Sequence, residues 1–301
     1  MRVFVTGASG FIGSAVVPEL IAAGHRVLGL ARSLASAAVV AAAGAGVHRG
    51  ELDDLESLRA GASASDGVIH LGYNHDFLNF EAAARTDQRA IEALGAALEG
   101  TGKPLVVASG MLGLSLGRIV TERDQPDADK PQHPRQAGVK TALAFAARGV
   151  RTSILRLSPT VHGPGDHGFV ATLVAVAREK GVSGYIGEGQ NRWPAVHRLD
   201  AARLIRLALE KAPAGAVLHA VGDEGVPLRQ IAEVLGRHLN VPTASVPASD
   251  AAAHFRWLAR FLVMDSPASS AMTRALLGWE STHPGLIEDL EAGHYFERSP
   301  G

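Results

Sequence analysis

An apolar strand runs directly into three evenly spaced glycines in the stretch Arg2-Val3-Phe4-Val5-Thr6-Gly7-Ala8-Ser9-Gly10-Phe11-Ile12-Gly13. This spacing, at a strand-to-helix turn, is typical of a nucleotide site. The first glycine permits a tight turn, the second lets backbone approach a pyrophosphate, and the third lets the next helix pack close to the sheet. That helix offers its free N–H groups and the positive end of its dipole to the phosphates.

The residues around the three glycines make the pattern specific. Glycine turns alone are common, so the strand before and the helix after must also be present. An apolar residue recurs at helical spacing after Gly13, and the pattern stops at Gly24, which suits a helix C-terminus. A second apolar run, Val27 to Leu30, then completes a βαβ unit.

Composition limits the class of protein and the kind of partner. With 301 residues, 47% of them hydrophobic, the chain can bury a large core as one large or two closely joined domains. The net charge of −1 and the scattered basic residues predict no nucleic-acid or membrane partner, and favour a small-molecule substrate. The strand that begins at residue 2 leaves no room for a signal peptide, and no apolar run reaches the ~18 residues of a membrane span. We therefore expect a cytoplasmic protein.

Cysteine and histidine usage restricts the chemistry further. The sequence contains no cysteine, which excludes disulfides, thiol nucleophiles and cysteine metal sites. It contains 13 histidines, but no His-x-x-x-His or His-Glu-x-x-His spacing falls on a predicted helix. We predict no metal site.

Strands and helices alternate through the first half of the chain. Beyond the first βαβ unit we predict a short strand with an acidic turn at 47–54, strands at 67–72, 104–110 and 152–157, and helices at 34–45, from 55, at 77–98 and at 135–147. Such alternation predicts an α/β fold, a doubly wound parallel (Rossmann) sheet, whose ligands lie at the carboxyl ends of the strands. A polar loop at 114–134 is long enough to suggest a functional role.

The pattern loosens beyond Ser158. We predict a helix at 169–179, a short strand near Tyr185, a helix capped by Asp200, a core strand at 217–221 and helices from Pro227 onward. The predicted domains are a nucleotide-binding domain, 1–165, to which 191–222 returns, and a small, mostly helical C-terminal substrate cap, 166–190 and 223–301.

Together these motifs resemble the extended short-chain dehydrogenase/reductase superfamily, which includes nucleotide-sugar epimerases and dehydratases. The resemblance covers nearly the whole chain. It is carried, in order, by 6–13, Gly50-Glu51-Leu52, Val68-Ile69-His70-Leu71, Val107-Ala108-Ser109, Arg156, Val161-His162-Gly163-Pro164 and 196–200.

The resemblance implies an NAD(P) cofactor and the residues that contact it. These are Gly7, Ser9, Gly10, Phe11, Ile12, Gly13, Arg32, Ser33, Glu51, Leu52, Leu71, Gly72, Lys140, Pro159 and Val161. NADP is favoured over NAD because the second strand ends in Arg32 and Ser33 and has no acid there for both ribose hydroxyls. Arg32 can hold a 2′-phosphate and Ser33 can donate to it.

The predicted catalytic helix departs from the superfamily's pattern. That pattern is Tyr-x-x-x-Lys, whereas this chain has Gln136 and Lys140 at the same spacing. An amide cannot deliver a proton, so the usual acid is missing; Lys140 either holds the ribose or is an ordinary surface lysine. We predict that Tyr73 or His75, after the fourth strand, supplies the proton, and that Ser109 orients the substrate oxygen. Alternatively, Tyr73 and His75 only cap the next helix.

Other residues are candidates for substrate binding. His162 and His167 lie in a loop after the sixth strand and either transfer protons or are exposed to water. Arg192 and Trp193 either bind an anionic or planar substrate or anchor the cap to the sheet.

Three functions follow from this reading of the sequence. The first is an NAD(P)H-dependent oxidoreductase that transfers hydride to or from a small carbonyl or alcohol. The second is a nucleotide-sugar epimerase or dehydratase, and the third is a non-catalytic, redox-sensing NADPH-binding protein, which Gln136 favours. The resemblance also implies a homodimer through the helices at 77–98 and 135–147.

Overall fold

The computed structural model describes residues 1–75, 79–114, 117–125 and 135–297. The strands are β1 (Arg2–Thr6), β2 (Arg26–Ala31), β3 (Gly46–Arg49), β4 (Gly67–His70), β5 (Pro104–Gly110), β6 (Arg151–Leu157), β7 (Thr160–His162), β8 (Ser183–Ile186), β9 (Arg192–His197), β10 (Ala216–Ala220), β11 (Asp223–Pro227) and β12 (Thr243–Val246). The helices are α1 (Gly13–Ala22), α2 (Leu34–Ala42), α3 (Leu55–Ser63), α4 (Phe80–Leu98), α5 (Gln136–Ala144), α6 (Phe169–Lys180), α7 (Arg198–Lys211), α8 (Leu228–Leu239), α9 (Ala251–Phe255), α10 (Ala259–Leu262), α11 (Ala271–Leu277) and α12 (Leu286–Glu291).

A parallel sheet forms the centre of the molecule, with the strand order β10-β6-β5-β4-β1-β2-β3 among the described residues. Its central strands are apolar and buried on both faces, as parallel strands covered by helices must be. The order reverses between β1 and β4, so the carboxyl ends of these two strands border the crevice in which such sheets bind ligands.

Alternate residues of the strands support two helical layers. On one face Val3, Val5 and Ile69 pack in the core that α1 and α7 cover. On the other face Phe4, Val68 and their neighbours pack under α3, α4 and α5. Polar residues at the carboxyl ends of the strands follow the same alternation, so Thr6, His70 and Ser109 lie on the α4 and α5 face.

A second group of elements packs apart from the main sheet. Within the part of the chain that the structure describes, β7, β9 and β11 form a small sheet, and β8 pairs with β12. Helices α6, α8, α9 and α12 pack over these strands in a separate core that includes Trp193, Phe255 and Leu286.

The doubly wound parallel sheet and the late strand near 217–221 are confirmed, since β10 pairs in parallel with β6. Strands β11 and β12 are not predicted by the sequence. The predicted cap of α7 is wrong: His197 caps the helix, and Asp200 lies in its first turn, where it accepts N–H groups from Thr282 and His283. The predicted start of α4 at Phe77 and most of the loop at 114–134 lie outside the described residues.

The structure also specifies what returns to the main sheet from 191–222. Helix α7 and strand β10 join its layers, whereas β9 pairs with β7 and β11 in the small sheet. The division into a nucleotide-binding domain and a substrate cap stays a prediction.

Candidate active site

The glycine-rich turn leaves room where a pyrophosphate would approach. Gly7 has φ +70°, and a Cβ built on it would lie 2.8 Å from the Gly72 nitrogen. A Cβ on Gly13 would lie 2.1 Å from the Gly7 carbonyl oxygen, so α1 approaches the turn as closely as backbone allows. A Cβ on Gly10 would meet only the Gly7 carbonyl oxygen, at 3.3 Å, among the described atoms within 4 Å, and Gly10 is exposed. The turn therefore fits a dinucleotide pyrophosphate.

The exits of β1 and β4 meet at this turn. The Gly72 N–H donates to Thr6 Oγ1 at 3.0 Å, which fixes one strand end against the other. A Cβ built on Gly72 would lie 3.0 Å from Leu52 Cδ2. The structure thus brings Gly7, Leu52 and Gly72, three of the predicted cofactor contacts, to one place in the crevice.

The end of β2 carries the predicted 2′-phosphate contacts. Arg32 and Arg49 are both exposed, and Arg49 Nη2 donates to the Arg32 carbonyl oxygen at 3.5 Å, so the Arg49 guanidinium reaches the backbone at the end of β2. Ser33 is engaged locally: it caps α2, accepting from the Ser36 N–H, and its hydroxyl donates to Ser36 Oγ at 3.1 Å. The arginines are therefore better placed than Ser33 to hold an added phosphate.

An arginine covers the predicted proton donor. The Arg135 guanidinium carbon lies 3.9 Å from the centre of the Tyr73 ring. The Tyr73 hydroxyl is buried and has no hydrogen-bond partner among the described residues, and the His75 ring meets the Tyr73 ring edge-on at 5.2 Å. Burial raises the pKa of Tyr73 while Arg135 acts against that rise, and burial together with Arg135 lowers the pKa of His75.

Arg135 is held from two sides. Its Nη2 donates to the Ala108 carbonyl oxygen at 3.1 Å, one residue before Ser109, and its Nε lies 3.9 Å from Asp87 Oδ2. Asp87 Oδ1 accepts from His70 Nε2 at 3.1 Å, and His70 Nδ1 lies 2.8 Å from Thr6 Oγ1. Because a carboxylate can only accept, the proton of the bond to Asp87 lies on His70 Nε2. A buried polar chain thus links the glycine-rich turn to Arg135.

The remaining predicted catalytic residues lie near the end of β5 and in the first two turns of α5. Ser109 is buried near the end of β5, in register with Arg156 of β6. Gln136 is the first residue of α5 and is buried, and Lys140 is exposed one turn later. Sequence reasoning missed Arg135; the one signal it offered is that Arg135 immediately precedes Gln136.

His162 lies in the interior and faces the C-terminal segment. It is fully buried, and its Nδ1 lies 2.9 Å from Asp289 Oδ2, while Asp289 Oδ1 accepts from His294 at 3.1 Å. His167 is the exposed histidine of the pair, and its ring lies 5.8 Å from that of Phe11 in the glycine-rich turn. The geometry disfavours substrate binding by His162 and leaves His167 at the crevice.

Tyr295 holds the loop between these two histidines. Its hydroxyl donates to Asp166 Oδ2 at 2.9 Å and accepts the Gly163 N–H at 3.3 Å. Burial raises the pKa of Asp166. The loop that meets Phe11 is therefore fastened from the C-terminal end of the described chain.

Arg192 and Trp193 of β9 bind the segment that follows α10. Arg192 pairs with Asp265, with Nη2 2.9 Å from Oδ2, and Trp193 is fully buried with its Nε1 donating to the Met264 carbonyl oxygen at 3.1 Å. Both side chains therefore favour the anchoring alternative over substrate binding.

No group of three or more possible ligands among the described residues is placed to hold a metal ion. None of the helices in the described ranges is both long and apolar enough to cross a membrane.

A doubly wound sheet with an open glycine turn at its switch point defines a dinucleotide-binding Rossmann protein. Residues 3–221 match the model of the NAD dependent epimerase/dehydratase family, and the chain belongs to that family. The resemblance to the extended short-chain dehydrogenase/reductase superfamily is thus confirmed, and NAD(P)-dependent oxidoreduction is the chemistry of the group.

Relatives and solved structures agree with this assignment. An uncharacterized protein from Schizosaccharomyces pombe is 50% identical over 98% of this chain and 100% of its own length. The 4-hydroxy-2-methyl-3-oxo-4-farnesyl-3,4-dihydroquinoline-1-oxide ketoreductase of Stigmatella aurantiaca is 28% identical over 84% of this chain and 79% of its own. The structure of MoeE5 in complex with UDP-glucose and NAD superposes with a TM-score of 0.76 at 26% identity, covering 98% of this chain and 97% of that one.

Proposed function

We propose that this protein is an NADP-dependent short-chain reductase that transfers hydride between its cofactor and a small carbonyl or alcohol substrate. The observation that carries the proposal is the meeting, at one crevice, of an open glycine turn and a buried tyrosine hydroxyl without a partner among the described residues. The nicotinamide cofactor, when bound, supplies or accepts the hydride. The ketoreductase among the relatives supports a carbonyl substrate.

The protein's own residues would bind, orient and move a proton. The turn at 7–13 holds the pyrophosphate, Leu52, Leu71 and Gly72 line the crevice, and the predicted contacts Pro159 and Val161 follow β6. Ser109 donates to the substrate oxygen, and Tyr73 or His75 supplies the proton that the oxygen needs when hydride reaches its carbon. Gln136 donates a hydrogen bond but cannot transfer a proton, and Lys140 holds the ribose.

The preference for NADP rests on the end of β2. Arg32 would clamp the 2′-phosphate, because a guanidinium matches phosphate oxygens. The exposed Arg49, which donates to the Arg32 carbonyl oxygen, adds positive charge at the same strand end. We expect Arg32→Ala to weaken NADPH binding by at least about 1 kcal/mol and to leave NADH binding unchanged, measured as two dissociation constants. Arg59→Ala, an exposed arginine on α3, is the matched control. Equal losses for both cofactors would contradict the assignment.

A nucleotide-sugar epimerase or dehydratase is the second candidate. The fold similarity to MoeE5, whose structure holds UDP-glucose and NAD, favours it. The pairing of Arg192 with Asp265 weakens it, since Arg192 was the candidate for the sugar-nucleotide phosphate. A non-catalytic NADPH-binding protein is the third candidate, favoured by Gln136. The predicted homodimer and cytoplasmic location stay predictions.

Fluorescence and absorbance separate these functions. We expect NADPH fluorescence to rise on binding, and NADPH absorbance to fall when a member of a panel of ketones and aldehydes is added. Binding without loss of absorbance on any carbonyl compound would support the non-catalytic protein. Conversion of a UDP-sugar without net change in cofactor absorbance would support the epimerase.

A further inference from the structure

We infer that Arg135 is the cation that makes Tyr73, not His75, the proton donor of this site, in the place of the tyrosine and lysine that α5 lacks as a pair. The inference rests on the proposed reductase function and names its acid and the residue that positions it. Arg135 acts through Tyr73 and is a positioning residue.

The choice of tyrosine follows from where the chain's three tyrosines lie. Tyr185 belongs to β8 in the predicted cap, and the Tyr295 hydroxyl donates its proton to Asp166. Tyr73 follows β4 at the crevice, and its hydroxyl is buried without a partner in the described structure. Tyr73 is therefore the tyrosine whose hydroxyl makes no hydrogen bond to a described atom and whose position borders the ligand site.

Two buried polar atoms near the end of β4 have no hydrogen-bond partner among the described residues. Besides the Tyr73 hydroxyl, Arg135 Nε is buried and makes no hydrogen bond to a described atom. Buried donors are normally satisfied, because an unsatisfied one costs stability. Two such donors belong to side chains that contact each other, and Arg135 also binds the carbonyl oxygen of the residue before Ser109, which indicates that a ligand oxygen completes the arrangement.

The position of Arg135 favours loss of a proton from Tyr73. A guanidinium 3.9 Å from the ring centre attracts the electron-rich face, and it attracts the full negative charge of a phenolate more strongly. The Ala108 carbonyl and the Asp87 carboxylate hold the guanidinium in that place, so it need not reorganise during the reaction. Asp87 opposes the effect on the Tyr73 pKa, but part of its charge is committed to His70.

The same arginine makes His75 a poor acid. Burial, Arg135 and His167 all lower the pKa of His75, so the imidazole is neutral near pH 7 and has no excess proton. The charged and titratable groups that face Tyr73 from the described elements are therefore Arg135 and Asp87, with neutral His75 at its edge.

Reduction of a carbonyl to an alcohol requires one hydride and one proton. As the carbonyl carbon gains the hydride that a bound reduced nicotinamide would supply, the C=O π pair moves to oxygen. The Tyr73 O–H bond breaks as a new O–H bond forms on that oxygen, which leaves the alcohol and a phenolate beside Arg135. A water molecule then returns a proton to the phenolate, and the reverse sequence serves oxidation.

Fluorine NMR of apoprotein labelled with fluorotyrosine tests the inference without turnover. Ring fluorination lowers the pKa of a tyrosine phenol, which brings its titration closer to the pH range in which the protein is folded. Tyr73→Phe assigns the Tyr73 resonance. We expect Arg135→Gln to raise the titration midpoint of Tyr73 by about one pH unit or more, and Arg135→Lys to restore part of the difference. Arg229→Gln is the matched control, because Arg229 lies over the ring of Tyr185 at 5.5 Å and should leave Tyr73 unmoved.

Kinetics supply the second measurement. With a substrate from the carbonyl panel, Tyr73→Phe and Arg135→Gln should each lower kcat about 100-fold or more at unchanged NADPH affinity, while Arg135→Lys retains more activity and His75→Ala loses much less activity than Tyr73→Phe. A Tyr73 midpoint that ignores Arg135→Gln, or a collapse in His75→Ala with Tyr73→Phe active, would overturn the inference. If the wild type reduces no carbonyl, the proposed function fails, whereas the fluorine titration still decides whether Arg135 controls the acidity of Tyr73.

Discussion

Two tyrosines near the ligand edge of the molecule differ in what their hydroxyls bind. Tyr295 donates to Asp166 and accepts the Gly163 N–H, so its hydroxyl is fully used in fastening the loop after β7. Tyr73 lies under Arg135, and its hydroxyl is buried with no bond to any described residue. A satisfied buried hydroxyl stabilises the fold, whereas an unsatisfied one costs stability. The Tyr295 hydroxyl is therefore structural, and the Tyr73 hydroxyl is the one for which we propose a ligand.

We expect the largest loss of stability from a change at Asp289, which binds the fully buried His162 of β7. Asp289→Asn removes the carboxylate that accepts from His162 and His294, and breaking such a buried pair costs about 3 kcal/mol. Although burial raises the pKa of Asp289, the hydrogen bonds from the two histidines outweigh it and hold that pKa below its usual value. Urea unfolding at neutral pH measures the loss, with the exposed Glu224→Gln as control. A loss equal to that of the control would mean that the C-terminal segment does not fasten this loop.

A matched pair of hydroxyl deletions tests the comparison directly. Tyr295→Phe leaves Asp166 and the Gly163 N–H without their partner and should lower the free energy of unfolding by about 1 to 2 kcal/mol. Tyr73→Phe deletes a hydroxyl that binds no described group, so stability should stay equal or rise slightly. Denaturant midpoints of the two variants decide the matter, and a larger loss in Tyr73→Phe would reverse our assignment of roles.

The smallest effect concerns pH. Burial, together with the nearby His162, lowers the pKa of His197 from its usual 6.5 to about 4. The unfolded chain therefore takes up the proton first, and stability falls as the pH drops from about 6.5 towards about 4. His197→Asn keeps a residue that can cap α7 and should flatten this fall, measured as denaturant midpoints at about pH 7 and about pH 5. Equal slopes in both proteins would contradict the assignment of the fall to His197.

Local patterns in the sequence predicted the local parts of the site. The turn at Gly7, Gly10 and Gly13 depends on a strand, three glycines and a helix that adjoin in the chain, and the structure shows the clearance that this spacing implies. The parallel sheet was predicted for the same reason, because alternation of strands and helices is visible without knowing any long-range contact.

Contacts between distant parts of the chain could not be predicted in this way. Arg135 meets Tyr73 only because α4, α5 and β4 pack together, and no periodicity encodes that approach. His162 and Trp193 looked like ligand groups beside glycines and prolines, but their partners Asp289 and Met264 come from much later in the sequence. Strands β11 and β12 are short, and the pairing that makes them strands is likewise remote.

Strand β10 comes late in the sequence but pairs with β6, so the main sheet cannot be completed early in synthesis. Residues 216–220 pair with β6 along its length, and the segments that build α6, β8, β9 and α7 lie between them in sequence. Until those residues leave the ribosome, β6 is an open edge that displays unpaired backbone and apolar side chains such as Ile154. The main sheet is therefore complete only after residues 158–215 have been made, and a nascent chain stopped before residue 216 would expose an unpaired edge at β6.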